Sequence, residues 1–222
     1  MKIDDALTNR RSIRAFLDRP VPMELLHTLL ATAARAPSGG NLQPWQIWVV
    51  TGNARQRLVD AVVARIDAGT PPEPEYNIYP PNLSSPYKQR RFAVGEAMYE
   101  RLGITRMDKP ARRAWFERNF RFFGAPVGLF CFVDRQMGPP QWADLGMYLQ
   151  SLMLLLAAQG LGSCAQESWA LYGPTVRQAL GIGDHLMLYS GLAVGYPDMA
   201  APVNGLVTDR LPVHDFVTFL DC

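Results

Sequence analysis

Ala34-Arg35-Ala36-Pro37-Ser38-Gly39-Gly40-Asn41-Leu42-Gln43-Pro44-Trp45-Gln46-Ile47-Trp48 is the stretch from which the rest of this chain can be read. Upstream of it, residues 23–36 carry Leu25, Leu26, Leu29 and Leu30 at helical spacing, with Pro22 suited to the first turn and Pro37 to the end. Downstream, residues 46–51 form an apolar run that reads as a strand. Between the two lies a tight polar turn. Ser38, Gly39, Gly40 and Asn41 have small side chains and accessible backbone N–H groups, and glycine lets a ligand approach the main chain closely. Gln43 can both donate and accept hydrogen bonds. Taken alone, Ser-Gly-Gly-Asn also reads as an ordinary helix-to-strand connection. Its significance grows with the cation cluster just upstream, Arg10-Arg11-Ser12-Ile13-Arg14.

The 222 residues suffice for one domain with a substantial core, here expected to span 1–222. Hydrophobic residues make up 48% and charged residues 19%, a globular balance. A net charge of +2 is too small to argue for nucleic acid, so any positive site must be local. Cys131, Cys164 and Cys222 are sparse and lack a CxxC, which argues against a disulfide framework or a zinc site. His27, His185 and His214 lack metal-ligand spacing, and no metal is expected. No apolar signal core follows Met1, and the most apolar stretch, 145–158, falls short of the roughly 18–20 residues of a membrane span. A reduced, cytoplasmic protein is the expectation, with no membrane partner.

Further helices are expected over residues 1–8, 54–68, 88–102, 108–120 (Asp108 as cap), 141–159 and 174–180. Strands are expected at 127–133, 163–168 and 186–194, with 211–220 as an edge strand or arm. The 141–159 helix is apolar nearly all round, which calls for burial on most faces, in the core and against a second subunit. Residues 69–87 hold six prolines and three tyrosines and read as a binding loop or a surface excursion. Helices and strands intermix without regular βα alternation, which predicts an α+β fold. There is no GxGxxG, GxxxxGK[ST], GxSxG or HExxH to support another cofactor or hydrolase reading.

Arg10, Arg11, Ser12 and Arg14 offer the guanidinium forks that match phosphate oxygens. Together with Pro37-Ser38-Gly39-Gly40-Asn41-Leu42-Gln43-Pro44-Trp45, they give the chain a pattern that resembles the FMN-dependent nitroreductase family. Asp144-Leu145-Gly146, Gly160-Leu161-Gly162, Gly195-Tyr196 and Arg210 extend the likeness over essentially the whole chain. Tyr79-Pro80-Pro81-Asn82-Leu83, Phe122-Phe123-Gly124-Ala125-Pro126 and Gln166-Glu167-Ser168-Trp169 look most like the branch that reduces nitroaromatic compounds.

The resemblance implies a mainly antiparallel sheet flanked by helices, in an intertwined homodimer with a long buried interface helix. It also implies that Arg10, Arg11, Ser12, Arg14 and Arg210 hold FMN at its phosphate and ribityl chain. Pro37, Ser38, Gly39, Asn41 and Gln43 would wall the cofactor from the other subunit. Gln166, Glu167 and Ser168, in place of the family's common Pro-Ile-Glu-Gly, would present backbone amides to the flavin ring. Tyr79, Phe122, Phe123 and Trp142 are candidates for the substrate pocket, with plain packing as the alternative at each. Asp144 reads as a helix cap or as a partner that orients an arginine. Cys164, beside the flavin segment, reads as an inert buried thiol.

The implied activity is reduction of nitroaromatic compounds, and of quinones, by NAD(P)H in a ping-pong cycle. No side chain is needed as catalyst, because the flavin carries the chemistry. Other flavin reactions (dehalogenation, flavin cleavage, ring oxidation) and a non-catalytic FMN-binding protein are the alternatives.

Overall fold

The computed structural model describes residues 2–220; Cys222 and the first residue of the expected 1–8 helix lie outside them. In chain order come α1 (Ile3–Asn9), α2 (Met23–Ala33), β1 (Gln46–Thr51), α3 (Gly52–Asp67), α4 (Tyr87–Arg101), α5 (Lys109–Glu117) and β2 (Val127–Asp134). These are followed by α6 (Pro139–Ala158), β3 (Gly162–Gln166), α7 (Gly173–Leu180) and β4 (Leu186–Gly195). The strands form one antiparallel sheet in the order β1-β2-β4-β3, which is the expected α+β architecture.

β2 shows why the sheet has helices on both sides. Every residue of Val127–Val133 is buried, and alternate side chains point to opposite faces. Phe130 and Phe132 join a core with Leu58, Val59 and Val62 of α3 and with Trp169. Leu129, Cys131 and Val133 join a second core with Leu26 and Leu29 of α2 and Leu145, Leu152 and Leu156 of α6. Tight approaches lock the layers together. A Cβ on Gly128 would lie 2.3 Å from Cζ of the fully buried Phe122. Gly128→Ala is therefore expected to cost about 1–3 kcal/mol by overpacking, read as a lower urea midpoint at unchanged m.

The helix α6 buries one stripe, Leu145, Tyr148, Leu149, Leu152 and Leu156, within the chain. Met153, Leu154 and Leu155 stay half-buried, and Met147 is exposed. Asp108 caps α5 by accepting a hydrogen bond from the Ala111 N–H at 3.0 Å.

Two expectations change. The strand predicted over 163–168 ends at Gln166, and a 3₁₀ turn, Glu167–Tyr172, follows. Among the described residues, 211–220 join no strand of the sheet; they hold a short 3₁₀ turn, Val213–Asp215, in an exposed tail. Pro212 lacks the N–H a ladder needs, and Phe216 and Phe219 are exposed.

Candidate active site

The cation segment is fixed against β3. Ile13 donates its backbone N–H to the Ser163 carbonyl at 2.9 Å, and Ser12 bridges to Ser163. Ile13 is buried against Gly162, where a Cβ would meet it at 2.7 Å, so only glycine permits this approach. From the other side Asn204, fully buried, accepts the Arg14 N–H at 2.7 Å, and its carbonyl accepts a bond from Arg11 Nη1 at 3.4 Å. Arg10, Arg11, Ser12 and Arg14 are left half-buried, and no carboxylate pairs with any of the three guanidinium groups among the described residues. Unpaired guanidiniums held by backbone pairing suit an anion.

Further along β3, the chain forms one wall of a cavity of about 430 Å³. Ala165, Gln166, Glu167 and Ser168 line one side; Tyr76, Tyr79, Arg91 and Phe116 line others. Ser168 also lines the cavity, and its hydroxyl is buried with no hydrogen-bond partner among the described residues. Glu167 is exposed by area, yet protein crowds its carboxyl, and desolvation raises its pKa. Tyr76 donates its hydroxyl to the Tyr189 carbonyl, which fixes that wall; burial raises the phenol pKa. Cys164 is buried and burial raises its thiol pKa, in keeping with an inert role.

Not every sequence-based assignment takes the expected form. Phe122 and Phe123 are 0% and 2% exposed and belong to the core, where Phe122 packs on Trp169 at 4.6 Å between centroids. Positive φ angles of 51° and 54° turn these two side chains inward, so they cannot line the pocket. Trp142 stands behind the wall, 5.5 Å from the Tyr76 ring. Tyr79 does line the cavity. The Gln166 side chain is consumed by the fold: its Nε2 donates to the Asn119 carbonyl at 2.7 Å, and Trp169 Nε1 donates to its Oε1 at 3.4 Å. Only its backbone remains for a ligand.

Arg210 donates to Thr208 Oγ1 at 2.7 Å and to the carbonyls of Thr208 and Asp209, beside Arg90 and Leu211 in a groove under α4. Among the described residues, none of its bonds reaches the 10–14 segment.

The 37–43 loop is exposed and polar. Ser38 Oγ accepts from the Gln43 N–H at 3.0 Å, and Gly40, Asn41 and Gln43 adopt positive φ. Asp144, 5% exposed, accepts the Gly39 N–H at 3.3 Å on each oxygen. Asp144 thus neither caps α6 nor orients an arginine; it ties the loop to that helix. No hydrogen bond or ion pair joins this loop to the 10–14 segment among the described residues. The supporting roles of Asn204 and Asn119 carry no local sequence signal, because each acts on a segment remote in the chain.

A layered antiparallel sheet, a carboxylate-free cation segment on one strand and a polar-floored cavity at that strand's end are together the framework of a nitroreductase-type flavoprotein. The chain belongs to the nitroreductase family: residues 7–196 match the sequence model described as "Nitroreductase family". It is 38% identical to the nitrobenzene nitroreductase of Ectopseudomonas oleovorans, over 98% of this chain and 96% of that one. It is also 38% identical to the 4-nitrobenzoate reductase of Nocardioides sp. (strain LMS-CY), over 98% and 89%. Among solved structures, the FMN and NADPH-dependent nitroreductase NfnB from Sphigopyxis sp. strain HMH superposes with a TM-score of 0.98 at 54% identity, covering all of both chains.

Proposed function

We propose that this protein is an FMN-containing oxidoreductase that uses NAD(P)H to reduce nitroaromatic compounds. The observation that carries the reading is the double role of β3. Near one end, Ser163 holds the unpaired cations of residues 10–14; at the other, Gln166 leads into the cavity with the orphan Ser168 hydroxyl. Three residues of strand separate these points by about 10 Å, so one rigid element presents both an anion site and a ring-sized cavity. The names of the relatives, which act on nitrobenzene and 4-nitrobenzoate, agree with it.

In this reading Arg10, Arg11, Ser12 and Arg14 hold the phosphate and ribityl end. Backbone groups of residues 166–168 and the Ser168 hydroxyl meet the ring. Arg210 joins the phosphate site by exchanging its local partners. When bound, FMN supplies hydride transfer at its ring. Tyr76, Tyr79 and Phe116 shield the cavity from water and offer faces on which an aromatic acceptor can stack. Donor and acceptor take turns in this cavity. Reduction of a nitro to a nitroso group consumes one hydride and one proton and releases water. Quinones, held by the same stacking, are a further acceptor class.

Each chain is read as one domain over 1–222, working in the cytoplasm. Two chains form a homodimer in which the half-exposed residues of α6 meet, and Pro37, Ser38, Gly39, Asn41 and Gln43 of one chain wall the cofactor of the other.

The test is the visible spectrum of the purified protein under anaerobic conditions, before and after NADPH or NADH and then a nitrobenzoate. Flavin bands that bleach with nucleotide and return with the acceptor are expected. A flavin that stays oxidised would remove the reductase reading. Arg10→Ala is expected to weaken FMN binding about tenfold or more, through loss of a charge-assisted contact; unchanged affinity would move the phosphate elsewhere.

A further inference from the structure

Arg91 of α4 lines the 430 Å³ cavity in an unusual electrostatic state. Its guanidinium lies 3.9 Å from the centroid of the Tyr79 ring, and no hydrogen bond or ion pair engages it among the described residues. The surroundings do not lack carboxylates. Arg112 forms a bidentate pair with Glu96 at 2.5 and 3.0 Å, and Arg113 pairs with Glu117 at 2.9 Å. Arg91 alone in the cavity lining carries positive charge, and its planar fork is held on an aromatic face with its N–H donors free.

The same lining also holds the opposite charge, Glu167, next in the chain to Ser168. The cavity is thus polarised, cationic on the α4 side and acidic where β3 ends. Phe116 and Leu171 supply apolar wall. An aromatic anion entering such a space is repelled by an ionised Glu167 and attracted by Arg91. It therefore orients with its charged end toward α4 and its uncharged end toward residues 166–168.

We propose that Arg91 is the oxyanion-recognition residue of this cavity. It binds the carboxylate of an aromatic acceptor, or a phosphate of the nucleotide donor that uses the same space, and it sets which end of an acidic nitroaromatic faces residues 166–168. The proposal rests on the nitroreductase reading for the identity of these ligands but not for the existence of the anion site.

The experiment has a binding arm and a kinetic arm. The flavin-loaded protein is titrated calorimetrically with benzoate, benzamide and pyrophosphate, as wild type, Arg91→Met and Arg91→Lys. Arg91 is exposed, and methionine keeps an apolar stem over Tyr79, so the fold tolerates the exchange. Arg91→Met is expected to weaken benzoate about tenfold or more while benzamide is unchanged, and lysine is expected to restore part of the loss. In turnover, kcat/KM for 4-nitrobenzoate falls by a similar factor, and kcat/KM for 4-nitrobenzamide does not move.

If pyrophosphate binding and the nucleotide KM respond while benzoate does not, the oxyanion is the donor's phosphate, and Arg91 keeps its role. Equal losses for benzoate and benzamide, or no change with any probe, overturn the proposal. A protein that binds benzoate through Arg91 yet reduces no nitro compound would retain the anion site and refute the reaction.

Discussion

Glu75→Ala is expected to destabilise the protein by about 3–5 kcal/mol, the cost of stranding a buried charge. Glu75 and Arg177 each have side chains 8% exposed, and Arg177 Nη1 donates to Glu75 Oε1 at 2.5 Å. Arg135 donates to the same oxygen, and Oε2 accepts the Leu188 N–H of β4 at 3.3 Å. Without Glu75, the nearest carboxylate to Arg177 is Asp184, at 3.7 Å and fully exposed, where water screens the attraction.

A nearby pair gives the control. Arg65 and Glu73 meet at 2.6 Å with side chains 30% and 52% exposed, so Glu73→Ala is expected to cost less than about 1 kcal/mol. Equilibrium urea unfolding separates the two cases. A Glu75→Ala loss as small as that of Glu73→Ala would refute the buried-charge argument. The double variant Glu75→Leu with Arg177→Leu is expected to recover much of the loss, because it removes both charges together.

Glu75 also anchors the proline-rich loop next to Tyr76, whose ring forms part of the cavity wall. The neighbouring Glu73 N–H bonds to the Leu171 carbonyl at 2.8 Å. At temperatures where Glu75→Ala remains folded, KM for aromatic acceptors is expected to rise through a looser wall.

That loop shows what the sequence conveys and what it withholds. Its prolines and tyrosines mark it as a segment that is neither helix nor strand, but the ion pair that pins it joins Glu75 to a residue 102 positions away. Periodicity is a local property, which is why β1 was readable residue for residue and the main helices to within a few positions. Depth is not local. Residues 120–123 hold three phenylalanines next to a glycine, a composition that suits a pocket or a core equally well. The positive-φ turn at Phe122 and Phe123 decides for the core, and aromatic residues have no propensity for that conformation.

Hydrogen-bonding side chains behave in the same way. Asp144 read as a helix cap or a partner for an arginine, yet the Gly39 N–H, 105 residues distant, claims it; the Gln166 side chain is likewise held by Asn119, 47 residues away, which leaves its backbone for the role the sequence suggested. Arg10, Arg11 and Arg14 drew notice as a dense run only together with the Pro37–Trp45 pattern, and the structure leaves them without a carboxylate partner among the described residues.

Asn204→Ala is expected to produce the second large effect, about 3 kcal/mol of lost stability together with weaker FMN binding. Asn204 has no exposed surface. Its Oδ1 accepts the Arg14 N–H at 2.7 Å, and its Nδ2 donates to the carbonyls of Ala15 and Asp198 at 2.7 and 2.8 Å. Alanine leaves one backbone donor and two backbone acceptors without these partners, and each such buried group costs about 1–3 kcal/mol.

The loss in Asn204→Ala falls on the segment that presents the cations. With Arg14 freed on its tail-facing side, the strand-like run of residues 12–14 keeps chiefly its pairing to Ser163. A phosphate would then have to order guanidiniums that the wild type holds in advance, and this entropy comes out of affinity. FMN titration well below the variant's melting temperature separates this effect from simple unfolding. Affinity reduced about tenfold in the folded variant is the expected result. Wild-type affinity beside a lowered Tm would mean that Asn204 serves the fold alone, and that the cation segment is rigid without it.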